Sequence, residues 1–471
     1  MNIPETTRSL WLLLFGKRID KSLEQGDQLI EYWRNIYRGE PCWKYYTTQG
    51  INGRRTATRY LLNAGKLVAS ELAGLVFAEP PEMNVDKSVE AVLEFNKFIP
   101  NMQAWTDCGL ALGGGALKWV FRPGKVPVID FITAPDFVPV TYNSRGVTEA
   151  DFISTETNEG KEYKIIEQHR LNGAGYDIKL KAFERFAFSG SQEYREVSLE
   201  RAGVSGGEGT SPVKLFQEWK VPEANNIDHY SPLGISIYAN ATDTLRQIDE
   251  AFDYLATELE TSRRKIIIQR SMLSGYFDTA KDKTVPYYDK NEKVYVAFDA
   301  ADKESMAPVA IDFELRIEPI KQTLNTLFSI LSKQCGLSEG FLSFDGQSMK
   351  TATEVISENS KTFRTKQNIE ESLTSMLVPF LSVLKEVGSD YSVPTTNMEY
   401  TIHWNDSIIE DRNSKSKYLL ERLNSRAILL EDVLMQLDGL PEEEAKAKAA
   451  EIRKANATVD VGSMFGGDFE N

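Results

Sequence analysis

The sequence predicts an α+β fold, and three observations lead to this expectation. Apolar residues recur at helical spacing in several long segments, most clearly between Leu245 and Leu259. The segment from Phe137 to Trp219 instead alternates short β-like runs with turns, which is typical of an antiparallel sheet with exposed loops. The 471 residues also exceed the usual size of a single hydrophobic core, so two or more domains, or one elongated subunit of several parts, are expected.

The N-terminal part of the chain is predicted to be mainly helical. Its apolar spacing and its Gly/Pro breaks indicate helices over residues 20–38, 54–77, 86–98 and 102–112. The apolar run from Leu10 to Phe15 is only six residues long, and no small-residue cleavage site follows it. This run favours a packed helical turn over a signal peptide or a membrane anchor.

Two glycine-containing motifs resemble catalytic or nucleotide-binding signatures only in form. The run Gly113-Gly114-Gly115 leads into a predicted strand over 116–121, paired with 126–131, whereas a phosphate-binding Walker loop needs Gly-Lys-Ser/Thr opening a helix. The match to Gly-x-Ser-x-Gly at residues 203–207 lacks the apolar flanks of a nucleophile elbow. We therefore expect a tight strand start at the first motif and a flexible loop at the second.

Composition argues against an enzyme or a metalloprotein. The net charge of −15 does not suit a protein that grips nucleic acid through a general basic surface, although it allows one that DNA passes. The cysteines (Cys42, Cys108, Cys335) and the histidines (His169, His229, His403) are few and scattered, so no disulfide framework, zinc cluster or local triad is indicated. No catalytic residue, metal or cofactor is expected.

A pair of long helices is predicted after the turn at Ser231-Pro232-Leu233-Gly234. The first, over residues 237–266, carries a heptad-like seam of Leu245, Ile248, Phe252, Leu255 and Leu259. Its acidic residues lie mostly off this seam and are expected to face water or other chains. A second apolar face, from Ile317 to Leu331, predicts an antiparallel return helix that tolerates Pro319 in its first turn. An ordinary helical hairpin inside a core is an equally good interpretation of this pair.

The segment between these helices, residues 266–314, is predicted to be a small β or α+β excursion. A basic group lies at the end of the first helix and comprises Arg263, Arg264, Lys265 and Arg270. These cations could contact a DNA phosphate or an acidic partner. They could equally satisfy the dipole of the helix C-terminus.

A Gly/Ser-containing loop follows the return helix and leads into a long helix over 351–387, which Pro379 is expected to kink. Only Phe363 is apolar between residues 357 and 368, so the first half of this helix is expected to be exposed. Its cations could face DNA or pair with Glu354 and Glu358; they are Lys350, Lys361, Arg364 and Lys366. A strand over 398–404, helices over 411–424 and 431–454, and a disordered acidic tail close the chain.

This order of parts resembles the portal, or head–tail connector, proteins of tailed bacteriophages, most closely those of long-tailed phages of Gram-positive hosts. The resemblance is carried by Ser231 to Ser236 before an acidic helix, the excursion, the return helix, the loop at Gly340 to Met349 and the closing strand at Glu399 to Trp404. It implies an elongated portal-type subunit divided into a wing (1–232), a stem helix (233–266), a small α/β clip (267–315), a second stem helix (316–338), a tunnel loop (339–350), a second wing part with a long kinked helix (351–410), a helical crown (411–457) and a flexible tail (458–471).

The resemblance also implies a function and a set of partners. Portal proteins form rings, usually of twelve subunits, at one capsid vertex of the virion, and double-stranded DNA enters and leaves through them. The expected partners are the terminase large subunit, which would hydrolyse ATP, a head–tail adaptor, and the major capsid and scaffold proteins; assembly is expected in the host cytoplasm. The residues expected to reach the DNA are the lever-helix cations and the loop residues Ser343, Phe344, Asp345, Gly346, Gln347, Ser348, Met349 and Lys350. The alternatives are another structural virion protein, such as a minor capsid or scaffold protein, and, less well supported, a cytosolic enzyme.

Overall fold

Residues 21–50, 53–173, 175–188, 191–261, 265–269, 275–278, 283–286, 297–298, 309–311, 315–343, 360–404, 412–425, 427–438 and 445–454 are described by the structure, a computed structural model. Within these residues the chain has the predicted α+β architecture. The helices are α1 (Lys21–Tyr37), α2 (Ala64–Val76), α3 (Lys87–Phe95), α4 (Phe98–Leu112), α5 (Thr242–Thr261), α6 (Ile317–Gln334), α7 (Ser360–Val387), α8 (Arg412–Asn424), α9 (Leu430–Asp438) and α10 (residues 445–454).

The strands form several small sheets and one large antiparallel one. They are β1 (Tyr45–Gly50), β2 (Gly53–Thr58), β3 (Glu82–Asn84), β4 (Gly114–Val120), β5 (Val128–Thr133), β6 (Phe137–Asn143), β7 (Gly146–Asn158), β8 (Lys161–Asn172), β9 (Gly175–Phe188), β10 (Ser191–Val197), β11 (Glu208–Ser211), β12 (Phe216–Lys220), β13 (Lys265–Gln269), β14 (Gly275–Asp278), β15 (Lys283–Pro286), β16 (Ala297–Phe298), β17 (Val309–Ile311) and β18 (Thr401–His403). Strands β6 to β10 follow one another in a meander, and β11 also pairs with β9. This sheet confirms the antiparallel interpretation of residues 137–219.

The main hydrophobic core joins the N-terminal helices to the long C-terminal ones. It includes Leu72 on α2, Met102 on α4, Ile248 on α5, Leu331 on α6 and Phe380 on α7, all almost completely buried. The three-stranded sheet β12-β4-β5 packs one face against α4 and α7 and the other against strands β6 and β7 of the large sheet. Helices α5 and α6 are therefore anchored in the same core as the N-terminal helices.

The hairpin of β1 and β2 corrects one sequence prediction. Residues 54–58 were expected to begin a helix, but they form β2, which pairs antiparallel with β1, and α2 begins only at Ala64. The stretch contains threonines and no apolar residue larger than Ala57, so nothing in it supports the apolar face of a helix. The strong helical spacing further along extended the prediction too far.

The excursion between α5 and α6 is built of short strands wherever the structure describes it. Strand β13 pairs antiparallel with β17 and parallel with β16, and β14 pairs with β15. The N-terminal apolar run and the C-terminal tail lie outside the described residues. Among the helices within the described ranges, none has the length and apolarity needed to cross a membrane.

Candidate functional site

The start of the first stem helix is seated against the triple glycine. The Ile237 amide donates to the Leu110 carbonyl at 2.9 Å, and the Val221 amide donates to the Gly113 carbonyl at 3.2 Å. A Cβ at Gly234 would lie 2.1 Å from the Gly113 carbonyl oxygen, and a Cβ at Gly114 would lie 2.1 Å from that of Trp219. The glycines thus allow backbones to touch, which is a packing role rather than phosphate binding.

Helix α5 is also held by the residues that flank the β1–β2 hairpin. Asp249 is buried and accepts hydrogen bonds from the Trp43 indole and the Leu62 amide, both at 2.9 Å. Burial raises the pKa of Asp249, and these donors only partly oppose that rise. The Tyr60 amide donates to Asp253 at 2.9 Å. The expectation that the acidic residues of α5 face water is therefore wrong for Asp249, because distant donors satisfy its carboxylate.

Helices α5 and α6 form the expected antiparallel pair. The Thr244 hydroxyl near the start of α5 donates to Gln334 Oε1 at the end of α6, at 2.8 Å. Glu258 near the end of α5 forms a two-pronged ion pair with Arg316, which precedes α6, at 2.8 and 3.1 Å. The predicted seam is completely buried at Leu245 and Ile248, partly buried at Phe252 and Leu255, and 50% exposed at Leu259. One end of the pair is thus closed by the chain itself and the other is open.

The predicted basic group at the end of α5 is described only in part. Lys265 begins strand β13, and its backbone is aligned with Ile311 of β17. Arg263, Arg264 and Arg270 lie outside the described residues. The choice between a DNA contact and a helix-dipole role for this group stays a prediction.

The loop after α6 begins with a tight helix stop. Gly336 has φ +74°, and the Leu337 amide reaches back to the Ser332 carbonyl at 2.7 Å, which is the hydrogen-bond pattern of a Schellman motif. A Cβ at Gly336 would lie 2.7 Å from the Thr365 hydroxyl oxygen. Cys335 and Leu337 on either side are fully buried. The chain direction at the root of the loop is therefore fixed.

The same root is bonded to the first turns of α7. The Ser338 amide donates to the Thr362 hydroxyl at 2.8 Å, and the Thr362 amide donates to the Ser338 hydroxyl at 3.1 Å. The Thr365 hydroxyl donates to the Gly336 carbonyl at 2.6 Å. Each of the two residues thus satisfies the backbone amide of the other through its hydroxyl, although they lie on different segments of the chain. Together with Gly336, these contacts form a unit that we call the loop root (residues 335–338, 362 and 365).

The lever-helix cations are not equivalent. Lys361 is exposed, and its ammonium donates to the Lys333 carbonyl at the end of α6, at 2.7 Å; Arg364 is also exposed. Lys366 is only 3% exposed and lies 2.5 Å from the carboxylate of Glu370, which is also buried. The expected exposure of the first half of this helix is thus wrong for its inner face, where polar side chains pack with polar partners.

Of the predicted loop residues, the structure describes only Ser343, which is exposed. Phe344, Asp345, Gly346, Gln347, Ser348, Met349 and Lys350 lie outside the described residues, as do Glu354 and Glu358. The root can therefore be assigned from geometry, whereas the DNA-facing residues remain those that the resemblance implies.

Three tryptophans bind the second half of α7. The Trp119 indole stacks on Phe380 with 4.7 Å between ring centroids and donates to the Phe380 carbonyl at 2.9 Å. The Trp219 indole donates to the Ser372 hydroxyl at 3.0 Å. The Trp404 indole, next to strand β18, donates to the Thr374 hydroxyl at 2.8 Å. The helix behind the loop is therefore fixed at one end to the loop root and at the other to the wing sheet.

A buried ionic group lies between strands β4 and β8 and has a structural explanation. Lys118 contacts Glu167, and His169 Nε2 lies 2.8 Å from Glu167 Oε1. Burial alone would raise the pKa of Glu167, but the hydrogen bond with His169 and the charge of Lys118 outweigh it and lower that pKa to about 2. Phe152 and Phe216 pack edge-on against the His169 ring. The group is enclosed by aromatic side chains and lacks an adjacent nucleophile.

The other candidate chemistry finds no support in the described part of the chain. Residues 203–207 form a turn between β10 and β11, with Ser205 exposed, instead of the strand-to-helix elbow of a hydrolase. Within the described ranges, no group of three or more His, Cys, Asp or Glu side chains could hold a metal ion.

An antiparallel stem pair, a loop fixed at its root and a long helix held behind it define a structural subunit of the portal type. The chain belongs to the phage portal protein family described as SPP1 Gp6-like, whose model matches residues 19–458. This family is structural rather than enzymatic.

Two solved structures give distant likenesses. A chain from the virion of a native gene transfer agent particle is 12% identical, with a TM-score of 0.41 over 93% of this chain and 99% of that one. A chain from the neck of a native gene transfer agent particle, computed with C12 symmetry, is 11% identical, with a TM-score of 0.40 over 80% of this chain and 89% of that one. No curated protein sequence matches significantly.

Some residues of this site escaped the sequence analysis. The local sequence indicates only a turn at Gly234 and only a loop at Ser338, because the residues they contact lie far away in the sequence. The Gly336-Leu337-Ser338 order after an apolar helix is the signal that could have indicated a helix stop.

Proposed function

We propose that this chain is the subunit of a closed portal ring at one vertex of a phage capsid. Membership of the portal family supports this role. The half-open stem seam also supports it, because the exposed end at Leu259 offers apolar surface to a neighbouring subunit. The ring would contain about twelve copies, the usual number that the resemblance implies.

We further propose that the loop emerging from the loop root lines the DNA channel. The observation that carries this proposal is the root itself: the chain leaves at Ser343, and α7 begins at Ser360 while bonded to the same root. Ser338 before the segment 344–359 and Thr362 after it are hydrogen-bonded to each other, so both ends of this segment start from one joint. Lys361 and Arg364 stay candidates for DNA contact, whereas Lys366 does not.

The charge balance of the chain suits passage of DNA rather than retention. A net charge of −15 per subunit repels phosphates over the Debye length of roughly 8 Å at physiological salt. Double-stranded DNA could then slide inward during packaging and outward during ejection. Energy for packaging would come from the terminase.

The finer assignments follow the resemblance and are part of the proposal. The wing, stem, clip, tunnel-loop, crown and tail boundaries are those given above. The ring would dock the terminase large subunit and then a head–tail adaptor, and would contact the major capsid and scaffold proteins. It would assemble in the cytoplasm of a Gram-positive host of a long-tailed phage.

The ring is tested by native mass spectrometry and negative-stain microscopy of the purified protein. We expect closed rings of about twelve subunits. A protein that stays monomeric over the micromolar range would contradict the proposal and favour a minor capsid or scaffold protein.

The role of the loop is tested by deleting residues 340–349. Rings should form normally, because the loop root is retained, while DNA packaging or retention should be lost. The control is a deletion of residues 205–206, which are exposed in the connection between β10 and β11. Packaging that is unchanged by the loop deletion would refute the channel role.

A further inference from the structure

The β1–β2 hairpin, which we call the arm (residues 45–58), is folded without a core of its own. Its strands pair only with each other among the described residues. Every arm side chain whose exposure is described is exposed, except that of Ala57, which is partly buried. An isolated two-stranded hairpin is marginally stable in water, and its open edges can pair with another chain. The arm therefore requires a covering surface.

The base of the arm is rigidly attached to the stem. Arg59 donates to the Trp43 carbonyl at 2.6 Å and lies 3.4 Å from Glu250 on α5. Trp43 and Tyr60 are themselves bonded to Asp249 and Asp253 of the same helix. These contacts fix where the arm leaves the subunit, and they lie on the helix whose seam is only half buried by its own chain.

Four exposed tyrosines lie at this base or next to it in the chain or on α5. Tyr45 and Tyr46 begin the arm, Tyr60 follows it, and Tyr254 lies on α5 next to the Asp253 that binds the Tyr60 amide. They are between 39% and 56% exposed. Tyrosine is enriched at the centres of protein interfaces because it contributes a large apolar ring and a hydrogen-bonding group. Exposed tyrosines are therefore present both on the arm and on α5.

The charge of the arm identifies the kind of partner. Residues 44–59 contain four basic residues and no acidic one, in a chain whose net charge is −15. Lys44 and Arg59 are paired within the subunit, whereas Arg54 and Arg55 project from the exposed strand β2. A second copy of this acidic chain offers charge complementarity to these arginines, and its backbone can pair with an open strand edge. DNA could attract these arginines through its phosphates, but it has no peptide backbone that could pair with a strand edge.

We propose that the arm crosses to the neighbouring copy of this chain, with Tyr45, Tyr46, Tyr60 and Tyr254 at the centre of the contact. The inference rests on the proposed ring. It adds to the ring a hairpin, next to α5, that each subunit extends to its neighbour. Arg54 and Arg55 then provide the electrostatic part of the contact, and the tyrosines provide most of the buried apolar area.

The test is site-specific photocrosslinking in isotopically mixed rings. p-Benzoylphenylalanine replaces Tyr46, and equal amounts of ¹⁴N- and ¹⁵N-labelled protein are mixed before assembly. After irradiation of purified rings, mass spectrometry should find crosslinked peptide pairs of mixed isotope, which only contacts between subunits can produce. About half of the crosslinked pairs should be mixed if the arm contacts a neighbour; crosslinked pairs that are all of a single isotope would show that the arm folds back on its own chain and would overturn the inference while leaving the ring intact.

A charge variant tests the same contact without a probe. In R54E/R55E, rings should decrease at least tenfold at a fixed protein concentration, while the far-UV circular dichroism of the subunit stays unchanged. The matched control is R122E/K125E, an equal charge change in the exposed turn between β4 and β5, which should assemble like the wild type. Equal assembly of the two variants would overturn the inference.

The crosslinking experiment also distinguishes this inference from a contact with DNA and from failure of the proposed ring. If crosslinks in DNA-filled particles join Tyr46 to DNA and not to protein, the arm is a nucleic-acid contact and the inference is wrong. If the wild type forms no rings at all, the proposed function fails first, and the inference fails with it.

Discussion

The apolar seam of α5 has the same spacing at both ends of the α5–α6 pair, but the two ends are buried to different extents. At the inner end, Leu245 and Ile248 are buried by the subunit's own core, and Thr244 is bonded to Gln334. At the other end, Leu259 is half exposed, although the Glu258–Arg316 ion pair links the end of α5 to the start of α6. A regular seam therefore does not imply uniform burial within one chain. Its open half marks the surface that another subunit can cover.

The closed end should be the least tolerant of change, and Gly113→Ala is the strongest way to break it. The new Cβ would sit 2.7 Å from the Gly234 carbonyl oxygen, at a backbone φ of +94°. We expect a loss of more than about 3 kcal/mol in the free energy of unfolding, or no soluble protein. Gly124→Ala is the control, since Gly124 also has a positive φ but has open space around it; it should cost about 1 kcal/mol. Equal chemical denaturation midpoints would contradict the packing role.

Ile248→Ala tests the closed end of the seam directly. Ile248 is fully buried, so the variant loses apolar burial and leaves a cavity. The expected cost is about 3 kcal/mol, measured by urea denaturation of the subunit. Ile248→Val should cost only about 1 kcal/mol. A cost below about 1 kcal/mol for the alanine variant would mean that the inner end is not a core.

The contribution of the buried group Lys118–Glu167–His169 to stability should depend on pH. The folded state lowers the pKa of Glu167 from 4.5 to about 2, so its contribution to stability is fully present above about pH 4.5 and is lost as the pH falls toward 2. Glu167→Gln should remove about 2 kcal/mol at pH 7, since Lys118 keeps Asp130 at 3.3 Å as a weaker partner. The measurement is the unfolding free energy between pH 2.5 and 7. A variant whose stability falls with acid as steeply as that of the wild type would contradict the assignment.

Leu259→Ala should have the smallest effect on the isolated subunit and thereby defines the open end. Because half of this side chain is already in water, we expect a change below about 1 kcal/mol in subunit stability. Ring assembly, measured by native mass spectrometry, should weaken more than subunit stability does. A variant that leaves assembly unchanged would remove the outer seam from the proposed interface.

Much of the fold could be predicted from the sequence because its long helices and the large sheet have regular apolar periods. The errors occur where polar residues are buried. A pattern analysis treats Thr362 and Asp249 as solvent-facing positions, yet each is buried and bonded to a partner far away in the sequence. Hydrogen-bond partners far apart in sequence leave no local signal. For the same reason, the bonds that fix the loop root could not be predicted from the sequence.

The tryptophans that bind α7 make this helix observable without any added label. Trp119, Trp219 and Trp404 each donate a hydrogen bond to it, and Trp119 is almost fully buried. Indole emission shifts to longer wavelength when the ring gains contact with water. If the proposed ring conducts DNA and α7 tilts during that passage, the intrinsic fluorescence of the particle should change, and packaging or ejection could be followed in real time.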